Sequence, residues 1–166
     1  MQGGCVKEIP LTRGLAATVD DEDFDRVSRY KWCAQVSDRK TPVALRGKTA
    51  DCPHRYMHRF ILDAKPGELV DHINGDTLDN RRANLRLCSN AENLRNRGAT
   101  RTNRSGFKGV SWSRVGEAWI AQITVNYECV HLGYFKTKED AAKAYDDAAL
   151  RYHGEFAHLN FPKAKA

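Results

Sequence analysis

The chain contains no C-x-x-C pair. Its five cysteines, Cys5, Cys33, Cys52, Cys88 and Cys129, are odd in number and widely scattered, which argues against a zinc ribbon and against a disulfide framework. Cys52 with His54 is the nearest approach to a ligand pair, and no second pair follows at finger spacing. No apolar run approaches the roughly 20 residues of a membrane span, so no membrane partner is expected. The opening Met-Gln-Gly-Gly-Cys-Val-Lys-Glu has no apolar stretch of a secretory leader, and glutamine at position 2 removes a myristoylation signal. Reduced thiols in a cytoplasm are the resulting expectation.

The composition, 41% hydrophobic and 29% charged, is that of a globular chain, and 166 residues suffice for one ordinary domain or two to three small ones. The net charge of +6 is unevenly placed. Residues 1–80 hold 12 lysines and arginines against 13 acids, and residues 107–166 hold 8 against 7. Residues 81–106 hold 7 arginines against the single acid Glu92. A cationic strip confined to one stretch suits a polyanion track better than a merely solvated face.

Along the first 60 residues short strands are expected at 7–11, 15–19, 30–34 and 55–60, with an acidic turn at Asp20–Asp23 and with Trp32 and Phe60 as core anchors. From Val70 the sequence predicts a strand, a turn at Asn74–Asp76, a second strand at Asn84–Cys88, and a helix opened by Ser89 with Glu92 in capping-box register. Residues 98–106 read as a basic linker. Past Gly106 the chain predicts a three-stranded antiparallel sheet backed by one helix. In its second strand Trp119, Ala121, Ile123 and Val125 share one face and Ile120, Gln122 and Thr124 the other. Thr137 and Asp140 cap the helix, which stops at Gly154.

The chemistry-bearing constellation is Asp71, His72, Asn84 and Asn93. An acid beside a histidine, a turn, and an asparagine on the following helix supply a base and two oxygen ligands for a hard metal ion, with Asn84 bracing the loop. Each residue has a plain alternative: a turn for Asp71 and His72, a cap for Asn84, an exposed helix position for Asn93. His58 is assigned to core packing. A calcium-loop reading fails because the glycine falls at position five and Arg82 stands where a bidentate glutamate is needed.

Residues 58–97, with Met57-His58-Arg59, Asp71-His72-Ile-Asn-Gly-Asp and Asp79-Asn80-Arg-Arg-Ala-Asn84-Leu-Arg, resemble the HNH nucleases, most closely the phage and intron-encoded homing endonuclease branch. The resemblance implies that His72 is the general base, that Asp71 and Asn93 bind the metal, and that Asn84 pins the loop so that His72 faces the attacking water. Oxygen ligands favour Mg²⁺, with Mn²⁺ as substitute, and no histidine occurs near 93–97 to select zinc.

Residues 105–162, with Ala141-Ala-Lys-Ala-Tyr145-Asp-Asp-Ala-Ala and Leu159-Asn-Phe-Pro162, resemble the AP2 DNA-binding domain, whose sheet enters the major groove. Lys108, Trp112, Arg114, Gln122, Thr124 and His131 are the implied base and phosphate contacts, joined by Arg95, Arg97, Arg101 and Arg104 of the basic stretch. Trp119 is assigned to the core. Lys108, Ser111, Ser113, Thr124 and His131 depart from the arginine and tryptophan pattern of the plant domains, so a GC-rich target is not carried over.

The expectation is therefore an α+β chain. It has a β-rich platform and an HNH ββα unit over 1–97 (core 58–97), a linker over 98–106 and an AP2-like domain over 107–162. Its expected work is metal-dependent cleavage of double-stranded DNA, by a monomer that nicks one strand, in the cytoplasm of a bacterium or a phage-infected cell. The rival is a DNA-binding regulator that keeps the HNH fold as scaffold. An RNA-directed role lacks the stacking-aromatic pattern it would need.

Overall fold

The computed structural model describes residues 5–36, 41–47, 50, 55–100 and 102–162. Cys52, His54 and Arg101 lie outside these residues. The chain is α+β and divides into two compact units, residues 1–90 and 91–166. The four cysteines among the described residues are free. No helix among those residues is long and apolar enough to cross a membrane.

The first unit is built from three antiparallel hairpins. Strand β1 (Val6–Pro10) pairs with β2 (Ala16–Asp20), β3 (Cys33–Val36) with β4 (Pro42–Leu45), and β5 (Leu69–His72) with β6 (Leu85–Cys88). Two expectations are corrected. Asp20 ends β2 and the following acids open α1 (Asp21–Ser28), where three carboxylates in the first turn favour the positive end of the helix dipole. Residues 57–61 form α2 (Met57–Ile61) rather than a strand. Met57, Phe60 and Ile61 recur at helical spacing and all are buried, a period that a six-residue window cannot distinguish from strand alternation. Trp32 and Phe60 are buried as expected, and Trp32 starts outside β3, donating its indole N–H to Val27 O at 2.9 Å. With Ile9, Ala17, Val19, Val27, Met57, Ile61 and Leu85 they form one core. Met57, Val19, Val27 and Ile61 are fully buried, and each such side chain contributes about 1.5–3 kcal/mol.

The second unit begins within α3 (Asn90–Asn96), which starts directly after Ser89. Strands β7 (Val110–Ser113), β8 (Ala118–Val125) and β9 (Glu128–Phe135) form an antiparallel sheet in that order, backed by α4 (Lys138–His153). Thr137 Oγ1 accepts from Asp140 N at 3.1 Å and donates to Asp140 Oδ2 at 2.8 Å, the expected cap. Ala121 and Ile123 pack against Ala141, Ala142, Tyr145 and Ala149 while Gln122 and Thr124 are exposed, so the predicted faces hold.

The segment expected as a linker is partly folded. Asn103 Oδ1 accepts from Ser105 N and Gly106 N at 2.8 and 3.0 Å, and the buried Ser105 hydroxyl donates to Val110 O at 2.9 Å. The Leu-Asn-Phe-Pro run closes the unit. Asn160 Oδ1 accepts from Lys108 N at 2.7 Å, and Asp146 takes Asn160 N and Phe161 N at 2.8 Å each.

Candidate active site and reading face

Asp71 and His72 occupy the last two positions of β5 and are both buried, at 8% and 6% exposure. Opposite them across the hairpin stand Arg86 and Leu85. The Arg86 guanidinium reaches Asp71 Oδ2 with Nη2 at 2.9 Å and Nε at 3.2 Å. Arg86 belongs to the Asn84-Leu-Arg run and, by sequence, counts only as one arginine of the cationic strip. The hairpin register is what pairs it with Asp71.

The loop from Ile73 to Asn84 is held from inside. Ile73 N donates to Asn84 O at 2.8 Å, Asn74 N to Asn84 Oδ1 at 3.0 Å, and Asn84 Nδ2 to Asp79 O at 2.8 Å. Asn84 therefore bridges the start and the end of the loop that follows His72. Asp79 is gripped in turn by Arg81, at 2.7 Å from each carboxylate oxygen, which holds its carboxyl below the usual range.

The same loop is fastened to the platform. Thr18 N donates to Leu78 O at 2.9 Å and Asn80 N to Thr18 O at 2.8 Å. Arg82 sends Nε and Nη2 to the buried Asp23 at 2.7 and 2.8 Å, and its backbone N–H to Asp20 at 2.7 Å. Asp20, Glu22 and Asp23 cluster closely enough to attract a cation, and the guanidinium of Arg82 reaches two of them. The expected cationic strip is thus shorter than its sequence. Arg81, Arg82 and Arg86 are paired with acids, which leaves the later arginines as its members. Arg97 and Arg104 are exposed and Arg95 is half-buried.

His58, on α2, meets His72 edge-on with ring centroids 5.0 Å apart and stacks on Tyr56 at 5.5 Å. Its Nδ1 is buried and finds no hydrogen-bond partner among the described residues. Burial, aided by the charge repulsion of His72, pushes its pKa down to about 3. The His72 pKa is also lowered, by burial first, against the opposing pull of Asn80 and of Asp71, Asp76 and Asp79.

A stability prediction follows from His58. The unfolded chain protonates this ring near pH 6.5, the folded chain only near pH 3. Its contribution is complete above pH 6.5 and is lost as pH falls toward 3, with a slope of up to about 1.4 kcal/mol per pH unit. Urea unfolding at pH 7 and pH 5 should show a smaller acid loss for His58→Phe than for the unchanged chain. Equal losses would contradict a buried neutral ring.

Asn93 lies half-buried on α3, in the second unit. That unit presents Gln122, Thr124 and His131 on the open face of its sheet, all exposed, with His131 opposite Gln122 and its ring 4.8 Å from Tyr134. Arg114 is exposed in the β7–β8 turn. Two of the expected contacts stand elsewhere. Trp112 pairs with Trp119, rings 5.2 Å apart, and shares its side of the sheet with Val110 and Ala121, but it is itself exposed, at 50%. Its alternation with Val110 would have placed it there. Lys108 donates its ammonium to Arg95 O at the end of α3, and partial burial lowers its pKa to about 8. His158 hydrogen-bonds the Asn96 backbone in the same place, so α3 is fastened within this unit.

A profile of the HNH endonucleases matches residues 55–95, the stretch that holds His58, the β5–β6 hairpin and its loop. An HNH endonuclease of Acanthamoeba polyphaga mimivirus is 31% identical over 150 residues, covering 89% of this chain and 76% of the relative. Protein 3.8 of Escherichia phage T7 is 41% identical over 58 residues, 35% of this chain and 48% of that protein. Dehydration-responsive element-binding protein 2A of Arabidopsis thaliana is 36% identical over 75 residues, 44% of this chain and 22% of that protein. The chain thus spans about three-quarters of the viral relative, half of the phage protein and a fifth of the plant protein.

The fold sets a β-hairpin with a braced loop, holding Asp71, His72 and Asn84, in one unit and a three-stranded sheet backed by a helix in the other. The chain belongs to the HNH endonuclease family, and its C-terminal region is related to the AP2/ERF proteins.

Proposed function

We propose that this chain is a site-directed DNA endonuclease that hydrolyses phosphodiester bonds, with one catalytic centre per chain that nicks a single strand. The observation that carries the reading is the buried Asp71–His72 pair at the end of β5, followed by a loop that Asn84 bridges at both ends, inside the stretch shared with the HNH family.

His72, neutral near pH 7 because burial lowers its pKa, takes the proton from the attacking water. Asn84 and the loop hold the imidazole at its place on the strand end. By the family resemblance Asp71 and Asn93 are the ligands of a divalent ion, which would supply charge neutralisation at the phosphate and at the departing oxygen when bound. Their donor set is all oxygen, which fits Mg²⁺ with water and phosphate completing its shell. The assignment of Asn93 rests on the family resemblance alone. The second unit holds the duplex, with Arg97, Arg104 and Arg114 on phosphates, and raises the local concentration of the cleaving centre around its site.

The Arg86–Asp71 pair also favours the rival reading, a DNA-binding regulator whose metal ligand has been taken over by a guanidinium. Supercoiled plasmid separates the two. Conversion to the relaxed circle in Mg²⁺, abolished by EDTA, is the expected result. Retention of DNA in a gel shift without relaxation in either Mg²⁺ or Mn²⁺ would replace the nuclease by the regulator.

A further inference from the structure

The open face of the β7–β8–β9 sheet carries no formal charge at its strand positions. Ser111, Ile120, Gln122, Thr124, His131 and Tyr134 stand on it, and the exposed cations Arg114 and Lys136 flank it at one end. Gln122 and Thr124 lie on the central strand paired with β9, where Gln122 N–H also donates to Gly109 O at 2.9 Å and Thr124 O meets the His153 ring at 3.1 Å. Only side chains are left there to read a sequence.

We infer that this face selects A·T pairs, with Gln122 on an adenine and Thr124 on a thymine two base-pair steps away. The inference rests on the DNA-binding reading above and adds its specificity. The major groove admits a β-ribbon. Guanine presents two acceptors there, which a guanidinium matches; adenine presents one acceptor and one donor, which a carboxamide matches in bidentate fashion. Gln122 is a carboxamide at a position free of charge. The methyl of Thr124 suits the thymine methyl, with its hydroxyl within reach of O4. Two residues along a strand advance about 6.8 Å, and two base-pair steps advance about the same distance at roughly 3.4 Å each. Both side chains point to the same face, so they meet bases two steps apart along the groove. The neutral face leaves phosphate attraction to Arg114 and Lys136 at its edge.

The test uses the full chain carrying His72→Ala, so that bound DNA is not consumed, on a pool of randomised duplexes. Sequencing of the retained fraction should show A·T pairs enriched at two positions two steps apart. Adding Gln122→Ala should relax the adenine position by about 5- to 150-fold in relative affinity while leaving the thymine position in place. Gln122→Arg should exchange adenine for guanine there. A selected site without those A·T pairs, or one whose adenine preference survives both changes at Gln122, overturns the inference and leaves DNA binding standing. Failure to retain any duplex overturns both.

Discussion

His72→Ala should slow plasmid relaxation by about 10²- to 10⁴-fold, the contribution expected of one positioned base, with duplex retention in a gel shift within about twofold of the unchanged chain. The separation follows from where the ring sits. It is buried at the end of β5 in the first unit, whereas the exposed arginines and the open sheet that would carry affinity belong to the second. The pH profile distinguishes a base from a structural ring. The active form is the neutral imidazole, and burial holds the pKa below the ordinary 6.5 against weaker opposition from Asn80 and nearby carboxylates. Rate should therefore persist as pH falls past 6.5 and decline only below it. An acid limb centred above 6.5, or an alanine variant that cuts at the original rate, would remove His72 from the reaction. His72→Gln, which keeps a polar side chain without the base, should be as slow as alanine.

The patterns legible in the sequence have their determinants within one loop, one strand or one helix turn. Asp71, His72 and Asn84 are joined by a loop of about a dozen residues, in which Asn84 hydrogen-bonds Ile73, Asn74, Asp79 and Arg81. The Thr137–Asp140 cap and the alternation along β8 are equally local. What escaped is set by strand register, by parity or by partners farther along the chain. Arg82 meets Asp23 across 59 residues, so no window could show that an arginine counted toward a DNA-binding strip neutralises a buried acid. Arg86 meets Asp71 only through the register of β5 and β6. Lys108 was read by its charge, and its ammonium closes the end of α3. Trp112 is an aromatic by type, while parity with Val110 sets it on the side of Ala121 rather than of Gln122, with half its surface still exposed. The residues 57–61 fell to a conflict of periods over a span too short to resolve it.

Gly109→Ala should cost the second unit about 2–5 kcal/mol. The backbone at Gly109 has φ +73°, in the left-handed region where an L side chain costs about 1–2 kcal/mol. Space is the larger obstacle. A Cβ there would lie 2.0 and 2.3 Å from two ring carbons of Tyr145 and 2.6 Å from the carbonyl oxygen of Gln122. Tyr145 is 2% exposed and packed among Ile123, Ala148 and Ala149, so its ring has nowhere to swing. Gln122 is fixed as well, since its N–H donates to Gly109 O at 2.9 Å. Overpacking of this kind adds about 1–3 kcal/mol. Gly106 supplies the control, because it has a similar φ of +82° with nothing within 4 Å of an added Cβ. Gly106→Ala should show the backbone cost alone, and the difference between the two variants should isolate the contact with Tyr145 and Gln122. In a unit of this size each kcal/mol shifts the midpoint by about 4–8 °C, so a melt followed by tryptophan fluorescence resolves them. Tyr145→Leu in the Gly109→Ala background relieves the ring contact but leaves the carbonyl, and should recover part of the loss. Equal midpoints for the two alanine variants would show that helix and strand do not approach as closely as Tyr145 and Gly109 imply. The sheet that displays Gln122 and Thr124 would then owe its placement to something other than this contact.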